Sequence, residues 1–310
     1  MRTLLLWFLL LACPALAQQP LIVGATLPLS GNLVDLGADL RKALLLWQGE
    51  INAAGGLLGR HVELRLLDDQ SEASSTGRLY EQLIGDKVDL LIGPLGSAAS
   101  MGAAGAAERN RRVLINATGS SRSVQKSGFR YVFQIAAPLA SYGNGAFALA
   151  RGLGLKRLTL FARDDPTSRE IATRAREQAL KLGLLPGAVE IYAPDSDDFL
   201  PQAKKAKAAG SEALIAFGLP QDAVEMVKSL RKLRYAPRLF VAQGASEPDF
   251  IQRLGQDAED AIGILPYDRR SMLPANRRFA EAFAAKWSSE PSLSAAEGYA
   301  AAMVLEEGVR

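Results

Sequence analysis

Strand-like apolar segments alternate with helical segments along almost the whole chain, and this alternation limits the folds that are open to it. The ten strand candidates are residues 21–29, 62–67, 89–95, 113–117, 131–135, 158–161, 189–192, 213–217, 239–242 and 262–265. Strict β–α–β alternation with short connections predicts parallel sheets that are covered by helices on both faces. Ten strands are many for one compact sheet, so we expect two sheets of about five strands each.

Helices are predicted from the spacing of apolar residues between the strands. The first candidate places its apolar residues on one face, at Leu36, Leu40, Ala43, Leu44, Trp47 and Ile51. Such spacing is typical of a helix with one buried side. The other candidates are residues 74–86, 97–111, 138–153, 168–182, 221–234, 275–288 and 295–307. The predicted fold class is α/β, with two Rossmann-like lobes.

The chain of 310 residues is long enough for two domains, each with a core of its own. We expect it to pass between the lobes near residues 138–141 and again near residues 266–268, where proline and turn residues separate predicted elements. Lobe 1 would then consist of residues 18–139 together with 268–310, and lobe 2 of residues 140–267.

The first 17 residues have the composition of a cleavable signal peptide. A positively charged start precedes an apolar run at residues 4–12, and Ala15-Leu16-Ala17 follows. The run is too short to span a bilayer, and the small residues at its end fit a cleavage site after Ala17. We therefore expect export to the periplasm and a mature chain that begins at Gln18.

Cys13 is the only cysteine of the chain, and two interpretations of it are open. The residues around it loosely resemble a bacterial lipoprotein box, which would make it a lipid anchor. Leu11 and Pro14 fit that box poorly, so we favour a Cys13 that is removed with the signal peptide. The mature chain would then contain no disulfide and no thiol site.

The composition argues against several classes of protein. The formal net charge is +3, with both signs interspersed, so we expect no binding of nucleic acid. His61 is the only histidine, and without a second His or a mature Cys the usual nucleophile–base pairs and zinc sites lack their parts. The glycine patterns of nucleotide-binding loops are also absent. We expect no catalysis, no metal ion and no cofactor.

Two neighbouring strand-to-helix junctions are candidates for a binding site in the first lobe. They read GPLGS at residues 93–97 and TGSS at residues 118–121. In open parallel sheets, ligands bind beyond the carboxyl ends of the strands, where a helix N-terminus and nearby hydroxyls donate hydrogen bonds. The candidates for holding an acceptor-rich group are Ser97, Thr118, Gly119 and Ser120. The alternative, in which Ser97 only caps its helix and residues 118–121 only form a turn, stays open.

Four segments resemble the family of periplasmic leucine/isoleucine/valine-binding proteins. They read GATLPLSG at residues 24–31, INAAGGLLG at 51–59, IGPLGS at 92–97 and EGYAA at 297–301. The resemblance covers essentially all of the chain after residue 20. It implies a type I periplasmic-binding-protein fold, or Venus flytrap, in which a small molecule binds between two lobes joined by three crossings. It also implies no catalysis and, as partner, the membrane permease of an ABC transporter.

Residue by residue, the resemblance assigns ligand contacts in both lobes. In the first lobe, Ser97 and Ser120 match positions whose hydroxyls hold the ligand carboxylate, and Thr118 matches a contact through the backbone. In the second lobe, Gly244 stands where family members have the acid that grips the ligand's α-amino group. The candidates of the second lobe are Ser168, Gln243 and Gly244.

The expected function is that of the periplasmic substrate-binding component of an ABC importer, acting as a monomer. Its ligand would be a small organic solute, such as a branched-chain amino acid, a small carboxylate or an amide. Because no acid stands at Gly244, we expect a carboxylate or amide to bind at least as well as leucine. The alternative is a ligand-sensing receptor or regulator domain of the same fold, similar to amide sensors. Family members make their last crossing beyond the position of Arg310, so we also expect the C-terminal end of the fold to be missing.

Overall fold

Ten β-strands form two separate sheets of five strands, and every pair of neighbouring strands is parallel. The structure is a computed structural model and describes residues 19–125 and 127–310. The strands are β1 (Leu21–Leu27), β2 (Val62–Asp68), β3 (Leu90–Ile92), β4 (Leu114–Asn116), β5 (Val132–Gln134), β6 (Arg157–Arg163), β7 (Leu185–Tyr192), β8 (Ala213–Phe217), β9 (Leu239–Gln243) and β10 (Ala261–Ile264). The spatial order is β2-β1-β3-β4-β5 in the first sheet and β10-β9-β8-β6-β7 in the second. All ten predicted strands and the division into two sheets are confirmed.

Helices cover both sheets. They are α1 (Val34–Ala53), α2 (Thr76–Gly85), α3 (Ser97–Arg109), α4 (Arg122–Gln125), α5 (Asn144–Gly152), α6 (Pro166–Lys181), α7 (Leu200–Ala208), α8 (Pro220–Lys232), α9 (Pro248–Leu254), α10 (Pro274–Trp287) and α11 (Leu293–Val309). Every predicted helix is present, although a 3₁₀ turn (Leu139–Ser141) separates the start of the predicted helix 138–153 from α5. Within the described part of the chain, no helix is both long and apolar enough to cross a bilayer.

The apolar face of α1 packs on the first sheet as its spacing predicts, with one exception. Leu40, Leu44 and Trp47 are buried against β1 and against α11. Leu36, in the first turn of α1, is instead 47% exposed, so its assignment to the buried face was wrong. The carbonyl oxygen of Leu36 accepts a hydrogen bond from Ser294 of α11 (3.3 Å).

The chain leaves the first sheet after β5 and returns after β10. Between these points it builds the second sheet and packs α5 to α9 around it. Helix α11 then packs on the first sheet again, and both α10 and α11 pack against α1. We call the first sheet with α1 to α4, α10 and α11 the first lobe, and the second sheet with α5 to α9 the second lobe.

Helix α11 runs alongside α1 in the same direction. Gly298 packs against Leu40, where a Cβ would lie only 2.1 Å from a Leu40 methyl carbon. Nearer the C-terminal ends of both helices, the indole N–H of Trp47 donates to Glu306 (2.9 Å). Since α1 follows β1, this pairing places the first turns of α11 at the carboxyl edge of the first sheet.

Candidate functional site

Thr118 joins the two junction loops at the carboxyl edge of the first sheet. Its hydroxyl donates to the carbonyl oxygen of Pro94 (2.9 Å) and accepts from the N–H of Gly96 (2.7 Å). Gly96 has a φ of +85°, a conformation that glycine adopts without strain. Because the hydroxyl proton is used within the protein, the side chain of Thr118 holds the loops together and does not donate to a ligand.

Gly119 lies in a closely packed turn behind Thr118. The side chain of Asn116 donates to the carbonyl oxygen of Gly119 (2.9 Å), and Ser100 donates to the same Asn116 side chain (2.8 Å). A Cβ at residue 119 would lie 2.3 Å from the hydroxyl oxygen of Ser100. The position therefore requires glycine, and the turn is held rigidly.

Ser97 begins α3, and its side chain reaches the neighbouring loop. Its hydroxyl oxygen accepts from the N–H of Ser121 (3.1 Å), while the N-cap residue of the helix is Gly96, without a side-chain cap. The interpretation of Ser97 as a helix cap was therefore wrong. Among the described residues, nothing accepts a hydrogen bond from the first-turn N–H groups of Ala98 and Ala99. These donors and the positive end of the helix dipole suit an acceptor-rich ligand group.

Ser120 connects this edge with the second lobe through Tyr142. The two side chains share a hydrogen bond, and the N–H of Leu139 donates to the carbonyl oxygen of Ser120 (3.3 Å). Burial raises the pKa of the Tyr142 phenol, and the negative charge of Glu297 raises it further. Tyr142 stands just after the first crossing, and its ring forms part of the cavity described next.

A cleft of about 620 Å³ lies between the two lobes. The second lobe lines it with residues 218–220, 243, 244, 246 and 247, the second crossing with residues 264–270, and the first lobe with residues 290–293. The volume is within the range of small-molecule sites. The cleft contains the predicted residues Gln243 and Gly244, whereas the lining does not include Ser97, Thr118, Gly119, Ser120 or Ser168.

Gly244 has no room for a side chain. Its φ is +86°, and a Cβ there would lie 2.5 Å from the Cα of Pro220 in the neighbouring loop. An acidic residue at this position would collide with the backbone of Pro220. The missing acid is therefore a consequence of how closely the loops after β8 and β9 pack.

Ser168 is buried and bonded to the residue that caps its own helix. Its N–H and its hydroxyl both donate to the carboxylate of Asp165, at 2.9 and 2.8 Å. Asp165 is the N-cap residue of α6. The Ser168 hydroxyl thus stabilises the start of α6, and its assignment to ligand binding stays a prediction.

A buried ion pair supports the wall of the cleft from behind. Arg163 lies 3.2 Å from Asp222, whose side chain is 4% exposed, and Tyr192 donates to the same carboxylate (3.1 Å). That carboxylate also accepts from the N–H of Leu219 (2.9 Å), in the loop that lines the cleft. Burial, together with the charge of Asp222, raises the pKa of Tyr192. The network fixes the loop that packs against Gly244.

Four acidic residues that were not predicted as site residues from the sequence lie in or beside the cleft. Asp268 pairs with Arg270 (3.2 Å), and Glu290 pairs with Arg269. Glu247 is exposed in the cleft wall, and its carboxylate has no partner among the described residues. The fourth is Glu297, within the EGYAA segment. For two of them the sequence holds a weak signal: Glu247 follows Gly244 by three residues, and Glu297 lies inside a segment that resembles the family.

Comparison with known proteins identifies the family. The model of the periplasmic binding protein family matches residues 20–310. This chain belongs to that family. The Leu/Ile/Val-binding protein homolog 8 of Brucella abortus (strain 2308) is 23% identical over 285 residues, which cover 86% of this chain and 70% of the relative. The resemblance in the four sequence segments is therefore confirmed.

Solved structures show the same fold. The branched-chain amino acid transporter substrate-binding protein LivJ from Streptococcus pneumoniae, in complex with isoleucine, has a TM-score of 0.72 at 23% identity, covering 93% of this chain and 83% of its own. An ABC transporter solute-binding protein from Rhodopseudomonas palustris BisB5, in complex with 3,4-dihydroxy benzoic acid, has a TM-score of 0.70 at 21% identity, covering 93% and 80%. The type I periplasmic-binding-protein fold of this chain is thereby confirmed, and it is a solute-binding protein by family.

Proposed function

We propose that this protein is the periplasmic substrate-binding component of an ABC importer and that it holds a small organic solute between its two lobes. The observation that carries the proposal is the 620 Å³ cleft, which lies at the carboxyl ends of strands β8, β9 and β10 of the second sheet and is bounded on its other side by residues 290–293 of the first lobe. Ligands bind at this edge in open parallel sheets. The relatives named above are binding proteins and transporter components, which favours import over the alternative of a sensor domain.

The ligand would be an amino acid of the branched-chain type, a small carboxylate or a small amide. Its acceptor-rich end would lie against the first lobe, where Ser97 and Ser120 stand beside the free N–H groups of α3. Its other end would lie in the cleft near Gln243 and Gly244. Contacts to both lobes exist only when the lobes are shut, so binding would favour a closed state that the permease recognises.

The division into lobe 1 (residues 18–139 and 268–310) and lobe 2 (residues 140–267), the monomeric state and the absence of catalysis are part of the same proposal. So is the location in the periplasm. The signal peptide and Cys13 lie outside the described residues, and cleavage after Ala17 stays a prediction. The intact mass of periplasmic protein should correspond to a chain that starts at Gln18. A lipid-modified chain that starts at Cys13 would contradict cleavage and place the protein on a membrane.

A thermal-shift screen tests binding directly. The mature protein would be heated with branched-chain and aromatic amino acids, small carboxylates and amides. A ligand at about 100 times its Kd should stabilise the folded state by about 2.7 kcal/mol and raise Tm by about 5 °C. The Ser97→Ala, Ser120→Ala double variant should lose most of this shift, and a variant at an exposed serine of the same lobe, Ser127→Ala, should keep it. An undiminished shift in the double variant would mean that the first-lobe site is misplaced.

A further inference from the structure

The amino edge of the second sheet lies opposite the cleft and carries an excess of positive charge. Four neighbouring strands of that sheet, β9, β8, β6 and β7, begin there. The segments that lead into them are residues 231–238, 207–212, 151–157 and 180–185, and all lie within the described part of the chain. Together these segments contain nine lysine or arginine residues and a single acidic residue, Glu212. We call the surface that they form the basic edge.

The segments of the basic edge contact one another, so the positive charge is continuous. The guanidinium group of Arg157 donates to the carbonyl oxygen of Gly210 (2.8 Å), and that of Arg238 donates to the carbonyl oxygen of Leu153 (3.4 Å). The carboxylate of Glu212 accepts from two main-chain N–H groups of the segment before β6 (3.0 Å each). The one acid is therefore held within the edge and leaves most of the cations unpaired.

The ends of helices explain only part of this charge. Helices α5, α6, α7 and α8 all end at the basic edge, where basic side chains are favourable beside the negative end of the helix dipole. At the amino edge of the first sheet, however, basic residues pair with acids, as Arg60 does with Asp89 (3.1 Å) and Arg109 with Glu81 (2.7 Å). Five cations of the basic edge are exposed and have no acidic partner among the described residues, namely Arg151, Lys156, Lys181, Lys232 and Arg234.

Exposed leucine side chains lie among these cations. Leu153, Leu180 and Leu185 belong to the basic edge and are between 46% and 59% exposed. The N–H of Leu185 donates to the carbonyl oxygen of Lys156 (2.8 Å), which places this leucine beside the segment before β6. Basic and apolar side chains on one surface suit an interface in which a negatively charged layer covers an apolar interior.

We propose that the basic edge binds the surface of a bilayer that contains anionic lipids. The lipid phosphate groups would pair with the lysine and arginine side chains, and the leucine side chains would lie at the boundary between headgroups and acyl chains. A soluble polyanion would pair with the cations but leave the leucine side chains in water, which favours the lipid surface. Because the cleft lies at the opposite edge, a protein bound in this way keeps its cleft open to solutes, whichever solute it takes.

Vesicle flotation tests the proposal. The purified protein would be mixed at low salt with vesicles of phosphatidylcholine, and with vesicles in which about a third of the lipid is phosphatidylglycerol. We expect the wild type to bind only the second kind and to be released by about 0.5 M salt. The triple variant Arg151→Gln, Lys156→Gln, Arg234→Gln removes three of the unpaired cations and should bind at least tenfold more weakly. Thermal unfolding of each variant would show that it is folded.

The matched control removes three exposed cations of the first lobe. It is the triple variant Arg41→Gln, Arg78→Gln, Lys87→Gln, which changes the net charge by the same amount. We expect it to bind the anionic vesicles as the wild type does. Equal losses in the two triple variants would overturn the proposal, because the overall charge and not the basic edge would then be responsible. Failure of the wild type to bind the anionic vesicles would overturn it as well.

The variant Leu185→Ser separates a lipid surface from a free polyanion. It should weaken binding to the anionic vesicles by about fivefold, because a leucine side chain no longer leaves water. Binding of inorganic polyphosphate to the same variant should equal that of the wild type. Vesicle binding that Leu185→Ser leaves unchanged would overturn the lipid assignment and point to soluble polyanions. Neither result bears on the proposed function, since the solute screen measures the cleft.

Discussion

Asp222 is the buried acid on which the wall of the cleft depends. We expect Asp222→Ala to lower the free energy of unfolding by about 3 kcal/mol, because it leaves the buried charge of Arg163 with only its longer contact to Asp165 (3.8 Å). The Leu219 N–H would also lose its acceptor. Urea unfolding measures the loss. The control is Asp257→Ala, which breaks the exposed pair with Arg231 (3.1 Å) and should cost less than about 1 kcal/mol. Equal losses in the two variants would contradict a structural role for Asp222.

Glu297 should also leave a signature in the pH dependence of stability. Its pKa is raised to about 8 from an ordinary value of 4.5, so between these two values the folded protein binds more protons than the unfolded chain. The contribution of Glu297 to stability is therefore greatest below pH 4.5 and is lost as the pH rises through 8. Relative to wild type, Glu297→Gln should gain about 3.5 kcal/mol of stability between pH 5 and pH 8, at about 1.36 kcal/mol per pH unit. A constant difference across this range would show that the carboxyl group is not desolvated.

For single residues, the sequence allows the local backbone conformation to be predicted, but not contacts with residues that are distant along the chain. Gly119, between hydroxyl residues after a buried strand, could be singled out because glycine and hydroxyl residues mark a tight polar turn. Glu297 could not, because its neighbour Tyr142 lies in a segment far away along the chain. The same holds for Gly244, whose neighbour Pro220 belongs to a different loop.

Elements with a strong apolar pattern were predictable from the sequence, and short or polar ones were not. Every strand is continuous enough in apolar residues to be recognised, as expected for parallel sheets buried on both faces. Helix α7 was not predicted, because its only buried residues are Ala203 and Ala206, which stand among lysine and glutamine residues. The predicted strand 89–95 is shorter in the structure, since Pro94 cannot donate to a neighbouring strand and Gly96 turns the chain.

The junction turn after β4 can be tested with two glycine substitutions. Gly119→Ala should lower the free energy of unfolding by about 2 kcal/mol, because its Cβ would lie 2.3 Å from the Ser100 hydroxyl oxygen. The matched substitution Gly145→Ala, in α5, meets no atom within 4 Å and should raise stability by about 0.5 kcal/mol. Chemical denaturation of both variants gives the comparison. A Gly119→Ala protein as stable as the wild type would mean that the turn can move away from Ser100.

In the whole molecule, the two sheets follow from the number of strands, but the contacts between the lobes do not follow from any local pattern. The amide N–H of Arg122, at the start of α4, donates to Glu170 of α6 (3.0 Å). Residues of both lobes, including Ser120 and Glu170, line a smaller groove of about 270 Å³ beside this bond. The sequence gives no sign of this contact, since neither residue lies in a recognisable motif.

We expect ligand binding to close the lobes about residues 138–141 and 266–268, and Glu170→Ala to oppose closure. The variant removes a hydrogen bond from one lobe to the carboxylate of the other, which should weaken binding of a ligand found in the screen by about fivefold. Small-angle scattering should show a smaller radius of gyration for the wild type with ligand, and a larger radius for the ligand-free variant than for the ligand-free wild type. Glu177→Ala, on the same helix, breaks a partly exposed pair with Arg174 (2.8 Å) that lies within the second lobe, and it should change neither quantity. Scattering curves that stay the same at saturating ligand would contradict lobe closure, and unchanged affinity in Glu170→Ala would show that the contact does not favour the closed state.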